Sequence, residues 1–179
     1  MASGSSVNLS AITMSPHVGT HADAPLHVRD GWPASDALPL DAFSGPAWVA
    51  DVRQCPGVIS LGDLALPAGP VARLLLRTGA SIADGPFPAG WPVLAPEAAG
   101  ALLQRGLVLV GVDAPSVDAR ESKELALHQL LFGGGAQVVE NLDLRGIRAG
   151  PYTLRALPLR VAGLDAAPLR AVLEEPGHP

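Results

Sequence analysis

The sequence predicts a single mixed domain, α/β or α+β, in which strands outnumber helices. Three observations point there. The chain has 179 residues, 48% of them hydrophobic and 16% charged, which is material for one buried core and argues against disorder. Its apolar residues come in short runs separated by 20 glycines and 18 prolines, so most elements are of strand length. No internal repeat, linker or composition shift divides the chain. One domain is expected over residues 7–175, with 1–6 and 176–179 as flexible termini.

The elements follow in order. Val7 to Met14 alternates in part and reads as a strand leading into a histidine-rich segment. Ala47 to Val52 and Val71 to Arg77 are further strands. Pro96 to Gln104 opens on proline, continues with Glu97 and alanines, and stops before Gly106, which is the pattern of a helix. Leu107 to Val112 is a continuous apolar run of six residues, suited to a buried strand. Ser122 to Phe132 carries Leu125, Leu127, Leu130 and Leu131 among good helix formers and ends at Gly133 to Gly135. Ala136 to Glu140 is a short strand. Pro151 to Leu157, continuing to Val161 across Pro158, is another, and Pro168 to Leu173 the last.

Composition excludes several function classes. The formal net charge is −5, the eleven arginines are scattered and Lys123 is the one lysine, so no cationic patch for nucleic acid or an anionic membrane is present. Cys55 is the only cysteine, which rules out an internal disulfide and a cysteine-based zinc finger; beside Pro56 it reads as an inert core or loop thiol. No apolar run is long enough to span a bilayer, and the opening residues lack the cationic start and apolar stretch of a secretory signal. A cytoplasmic protein is expected.

Three of the five histidines fall between His17 and His27, a segment that also holds Asp23. Imidazole and carboxylate together suit zinc, manganese or iron(II), and so many such donors so close together point to a metal. The spacing of His17 and His21 would also fit a helix. Val18, Gly19 and Thr20 between them lack the glutamate of a helical zinc-protease motif, however, and glycine and a nearby proline disfavour helix. A loop folded tightly at Gly19 fits better. Gly133 to Gly135 is no phosphate loop, because no Lys-Ser or Lys-Thr follows. Asp113 and Asp118 read either as turn residues around Pro115 or as groups orienting metal ligands. His178 reads as tail.

The pattern His-x-Gly-Thr-His-x-Asp-x-Pro-x-His, complete from His17 to His27, resembles the signature of the cyclase-like metal-dependent hydrolases. A second match lies downstream: His128, a glycine-containing turn, then Glu140 followed by Asn141 and Leu142. Gly111 to Asp118, with Ser122 and Lys123, is similar to the kynurenine formamidase (arylformamidase) branch in particular. The resemblance runs from about Val7 to Leu173. It implies a mixed, β-rich α/β fold of the swivelling β/β/α type, with a barrel-like sheet and flanking helices. It implies His17, His21, Asp23, His128 and Glu140 as ligands of two divalent ions, zinc first and manganese second, and His27 as general acid/base.

The activity implied is hydrolysis of N-formyl-L-kynurenine to L-kynurenine and formate, in tryptophan degradation, by a metal-bound hydroxide, in a homodimer with a small aryl formamide as substrate. The alternatives are a related hydrolase of another small amide or an isatin-like cyclic imide, and a metal-binding relic without catalysis. Family members begin earlier, with a strand and a proline- and tryptophan-containing loop that contacts the substrate ring. Here Val7 lies only ten residues before His17, which fits a truncated chain, a late start or a naturally minimal form, and leaves open whether the substrate pocket is complete. Trp32, Phe43, Phe87 and Trp91 are available for an aryl wall, and each fits a core equally well.

Overall fold

A computed structural model describes residues 6–177; residues 1–5 and 178–179, read from the sequence as parts of the termini, lie outside the described residues. The elements are β1 (His21–Asp23), β2 (Ser44–Asp51), β3 (Val58–Ile59), β4 (Arg73–Arg77), β5 (Val93–Leu94), α1 (Pro96–Gln104), β6 (Leu109–Val112), α2 (Ala126–Gly133), β7 (Gln137–Glu140), β8 (Gly150–Arg155), β9 (Ala166–Pro168) and β10 (Val172–Glu174). Among the described residues, eight strands form one sheet in the order β10-β8-β2-β4-β6-β7-β1-β9, and β3 pairs with β5 separately. The centre, β2 through β4 and β6 to β7, is parallel, while both margins are antiparallel. Beyond β8, Pro158 bridges Leu169 just past β9, and Leu159 N–H donates to Pro168 O. The two margins are thereby drawn together and the sheet curls into a half-barrel.

Successive residues of a strand face opposite sides, and here both sides are buried. Leu74, Leu76, Val110, Val112 and Val138 pack outward against Ala98, Ala99 and Leu102 of α1 and Leu127, Leu131 and Phe132 of α2. Leu75, Leu109 and Val139 point into the curl, where they meet Ala22, Phe43, Val49, Leu142 and Leu154. That two-sided burial is why the central strands read as unbroken apolar runs, and each buried Leu or Val contributes roughly 1.5–3 kcal/mol relative to exposure. Gly111 in β6 has a steric role. A Cβ there would lie 2.6 Å from Leu75 Cδ2 and 2.8 Å from Leu142 Cδ1, so only glycine lets those leucines close over the strand.

Helix α1 matches the expected span, and the mixed, β-rich fold is the one anticipated. Four elements differ. The strand expected from Pro151 to Val161 ends at Arg155 as β8, and Pro158, which has no N–H to donate to a ladder, makes only an isolated bridge. Val7 to Met14 is irregular and open to solvent, with Leu9 89% and Ile12 82% exposed. Its alternation is only partial, and among the described residues no strand pairs with it. Helix α2 begins at Ala126 instead of Ser122. Leu125 adopts a left-handed conformation (φ 48°), which ends any helix upstream, and the first free N–H groups are taken by Asp118. The final strand is split into β9 and β10, one on each margin of the sheet.

Candidate metal and acid–base site

Strand alternation builds the site. His21 lies opposite Glu140 in the antiparallel β1–β7 pair, and Asp23 lies opposite Val138. Ala22 and Val139 point into the curl, so His21, Asp23 and Glu140 face the other side, with Val138, toward α2. His128 occupies the first turn of α2 and meets them there. Its Nε2 is 2.9 Å from Asp23 Oδ2 and 3.2 Å from Glu140 Oε1. His17 enters from the turn before β1, where Gly19 takes φ +69° as the tight turn requires. Thr20 Oγ1 donates to Asn141 O at 2.7 Å and ties that turn to the end of β7. His27 closes a short 3-10 turn, Pro25–His27, directly after β1.

All six residues singled out from the sequence therefore converge. His17, Asp23 and His27 can present one donor atom each within 4.8 Å of one another, as can His21, Asp23 and Glu140. Asp23 turns Oδ1 toward His17 Nδ1 (2.9 Å) and His21 Nε2 (3.2 Å), and Oδ2 toward His128. Glu140 divides in the same way, Oε2 toward His21 (3.6 Å) and Oε1 toward His128. Glu140 Oε1 also accepts the Val117 N–H at 2.8 Å.

The donor atoms face one another in an arrangement that could hold a cation. Asp23 Oδ1 is buried beside two imidazole nitrogens, yet it accepts a directed hydrogen bond from neither. Such an oxygen is costly unless something positive satisfies it. Each of the three imidazoles has one nitrogen facing the carboxylates and its other nitrogen held by an acceptor. His21 Nδ1 is on Gly19 O (2.9 Å), His128 Nδ1 on Asp118 Oδ2 (2.7 Å) and His17 Nε2 on Asp165 Oδ2 (3.1 Å). That outer set of acceptors fixes ring orientation and tautomer, the arrangement that surrounds metal-ligating histidines.

Electrostatics agree with the geometry. Burial alone would lower the proton affinity of His128, but Asp118, Asp23 and Glu140 outweigh it and raise its pKa to about 11. For His17, burial is likewise overcome by Asp23 and Asp165, and the pKa rises to about 9. His21 is raised against its burial by Asp23, the Gly19 carbonyl and Glu140. Burial would push Asp23 up, yet the hydrogen bond from His128 and the adjacent His17 and His21 hold it well below the usual carboxylate range. Lone pairs that bind protons this firmly are the ones a divalent ion competes for.

The remaining sequence candidates separate cleanly. Asp118 caps α2 by accepting from Leu127 N–H (2.9 Å) and His128 N–H (3.0 Å) and also holds the His128 ring. Asp113 is buried and accepts from Thr78 N–H, Thr78 Oγ1 and Gly79 N–H, so it locks the turn after β4 and does not orient a histidine. Cys55 is a buried free thiol. Phe43 is wholly buried inside the curl; Trp32 and Trp91 pack on the helix-side core, and Phe87 is exposed with its ring 6.1 Å from that of Trp91. Asp165 was missed. It stands alone in the loop just before β9, and nothing in its spacing links it to the histidines 138 and 148 residues away.

Fold and donor set define a class: a curled mixed sheet carrying a buried imidazole–carboxylate cluster able to hold divalent metal, with one further histidine at its rim. Comparison with known proteins gives the family. The family model described as "Putative cyclase" matches residues 3–119, and the chain belongs to the cyclase family. The kynurenine formamidase of Salinibacter ruber is 42% identical over 177 residues, covering 98% of this chain and 84% of the relative. A solved structure titled as a potential metal-dependent hydrolase with cyclase activity superposes with a TM-score of 0.83 at 33% identity, covering 93% of this chain and 83% of that one. Isatin hydrolase A from Labrenzia aggregata gives a TM-score of 0.72 at 28% identity, covering 91% and 75%.

Proposed function

We propose that the chain is a metal-dependent arylformamidase that hydrolyses N-formyl-L-kynurenine to L-kynurenine and formate. The observation that carries this reading is the cluster of His17, His21, Asp23, His128 and Glu140 with His27 at its rim. The near full-length similarity to a kynurenine formamidase supports the choice of substrate. His17 and His21 with Asp23 Oδ1 would hold one ion, and His128 with Asp23 Oδ2 and Glu140 Oε1 a second. The division of each carboxylate between the two groups of imidazoles supports two ions over one. The donors suit zinc first and manganese second. When bound, such ions supply a water acidified toward neutral pH and a Lewis acid for the carbonyl.

The chain's own residues do the rest. His27 has Nδ1 on Asp165 at 3.3 Å, which leaves Nε2 as the atom that moves a proton. Its ring lies 4.4 Å from that of His17 and 5.8 Å from that of His128, beside the cluster and only partly buried. An arylamine nitrogen leaves poorly as an anion, so Nε2, whose lone pair first takes a proton from the attacking water, then delivers that proton to the nitrogen as the C–N bond breaks. The outer acceptors Gly19 O and Asp118 hold the other imidazoles still meanwhile. The same reading treats residues 7–175 as the working domain of a cytoplasmic homodimer, on the strength of the family resemblance. Among the described residues, no helix is long and apolar enough to cross a membrane.

A second reading, a hydrolase of isatin-like cyclic imides, is favoured by the likeness to isatin hydrolase A. Elemental analysis of the purified protein, coupled to formate release from N-formyl-L-kynurenine beside a panel of ring-opening substrates, separates the readings. Bound metal with one formate per kynurenine is expected. Ring opening of isatin without formate release would favour the second reading, and bound metal with no turnover would mark a non-catalytic relic.

A further inference from the structure

We propose that Asp165 is a positioning residue that joins the metal-holding half of the site to its acid/base half, by accepting hydrogen bonds from His17 and His27 on one oxygen. The inference rests on the hydrolase reading above and deepens it. Asp165 Oδ2 is 3.1 Å from His17 Nε2 and 3.3 Å from His27 Nδ1. Gly19 O and Asp118 each orient a single ring, whereas Asp165 orients two rings with different tasks. The two imidazoles touch, with centroids 4.4 Å apart and planes tilted by 48°, so a turn of either ring would displace the other.

The acceptor also dictates where the His27 proton sits. A carboxylate facing Nδ1 requires N–H there, which places the lone pair on Nε2, toward the reaction. Without it, the ring is free to hold its proton on Nε2 or to rotate. An orienting aspartate has the same consequence for the histidine of serine proteases, where its loss leaves the ring in the wrong tautomer.

The mount is rigid for a residue outside regular structure. Asp165 immediately precedes β9, whose Ala166 pairs with Asp23 of β1. Its carbonyl accepts the Ala24 N–H at 2.8 Å, so its backbone is fixed against the residue that follows Asp23. The preceding residues are tied down as well, with Leu164 O accepting from Ser35 N–H and Gly163 N–H donating to Asp36. Strand pairing thus delivers the carboxylate to both histidines from the far end of the chain.

The test compares the zinc-loaded parent, Asp165→Ala and Asp165→Glu by zinc content, steady-state kinetics on N-formyl-L-kynurenine and histidine 15N NMR. Asp165→Ala, saturated with zinc, is expected to lose about 10–100-fold in kcat with little change in KM, and to shift His27 from the Nδ1–H to the Nε2–H tautomer. Asp165→Glu is expected to recover part of the rate and the parental tautomer. An Asp165→Ala enzyme with kcat within about twofold of the parent would overturn the proposal. So would an unchanged His27 tautomer, or a rate loss that merely follows zinc loss. If the parent releases no formate, the arylformamidase reading fails, while the tautomer comparison still decides the role of Asp165.

Discussion

Removing the Asp118 carboxylate should unsettle the helix that carries His128 as well as the ring itself. In Asp118→Ala, three donors lose their acceptor: the Leu127 and His128 N–H groups at the start of α2, and His128 Nδ1. Asp118 is only 6% exposed, so water can replace the carboxylate only in part. A lost helix cap costs about 0.5–2 kcal/mol, and a buried hydrogen bond to a charged group about 1.5–3 kcal/mol. The contributions overlap because they share one carboxylate, so a net loss of about 2–4 kcal/mol is expected. For a chain this long, each kcal/mol moves Tm by about 2–4 °C, which gives a fall of roughly 5–15 °C. Metal affinity should fall about 10–100-fold, since the ring facing Asp23 and Glu140 is no longer held. Thermal melts of chelator-treated protein isolate the folding loss, and titration of zinc against a competing indicator gives the binding loss. Asp118→Asn retains one acceptor oxygen but turns an NH2 toward N–H donors, and should fall between the two. Melting within about 2 °C of the parent, together with unchanged zinc affinity, would refute the reasoning.

Two further outcomes follow from the same geometry. His27→Ala should retain its metal, because its Nδ1 is engaged by Asp165, yet lose at least about 100-fold in turnover; near-normal formate release would remove His27 from proton transfer. The metal-free protein should lose stability as pH rises from about 6.5 through 9. The pKa of His17 is raised to about 9 in the folded chain, so its contribution is complete below the unfolded value of about 6.5 and is lost on the way up; His128, at about 11, extends the loss further. The depressed Asp23 and Asp118 act oppositely, contributing above their unfolded values near pH 4 and losing that contribution as pH falls. Metal binding requires the deprotonated imidazoles, so the zinc-loaded protein should gain where the chelated one loses. Melting curves of both forms at pH 6.5 and 9 check the sign, and a chelated protein more stable at pH 9 would contradict it.

The parts of the fold that could be read from the sequence are those where local chemistry decides. Pro96 at the first helical position and the stop before Gly106 bound α1 without help from its neighbours. The apolar runs of β4 and β6 announce strands buried on both faces. The errors arose where a distant group decides. Ser122 to Leu125 has helix-forming residues, but the helix starts where the Asp118 carboxylate meets its free N–H groups, four residues later than propensity alone suggests. Val7 to Met14 has strand-like residues and, among the described residues, no strand to pair with.

The candidate site divides along the same line. His17, His21, Asp23 and His27 announce themselves because a turn, a strand and a 3-10 turn place sequence neighbours on one side of the sheet. Glu140 and His128 are separated from them by over a hundred residues, and only the resemblance linked them. The β1–β7 register and the first turn of α2 supply the physical connection. Asp165 had neither kind of signal. A single aspartate in a loop has no spacing to betray it, because a carboxylate that orients a histidine needs only to reach one ring nitrogen. Metal ligands must converge on a point, which restricts their spacing along strands and helices. Residues that position those ligands need only converge on the ligands themselves. In this fold each arrives from a different stretch of chain, Gly19 from the turn, Asp118 from the loop before α2 and Asp165 from the approach to β9. Geometry that holds the imidazoles is therefore the property of the curled half-barrel as a whole, and a substitution at Asp165 should slow turnover although it lies far in sequence from the histidine segment.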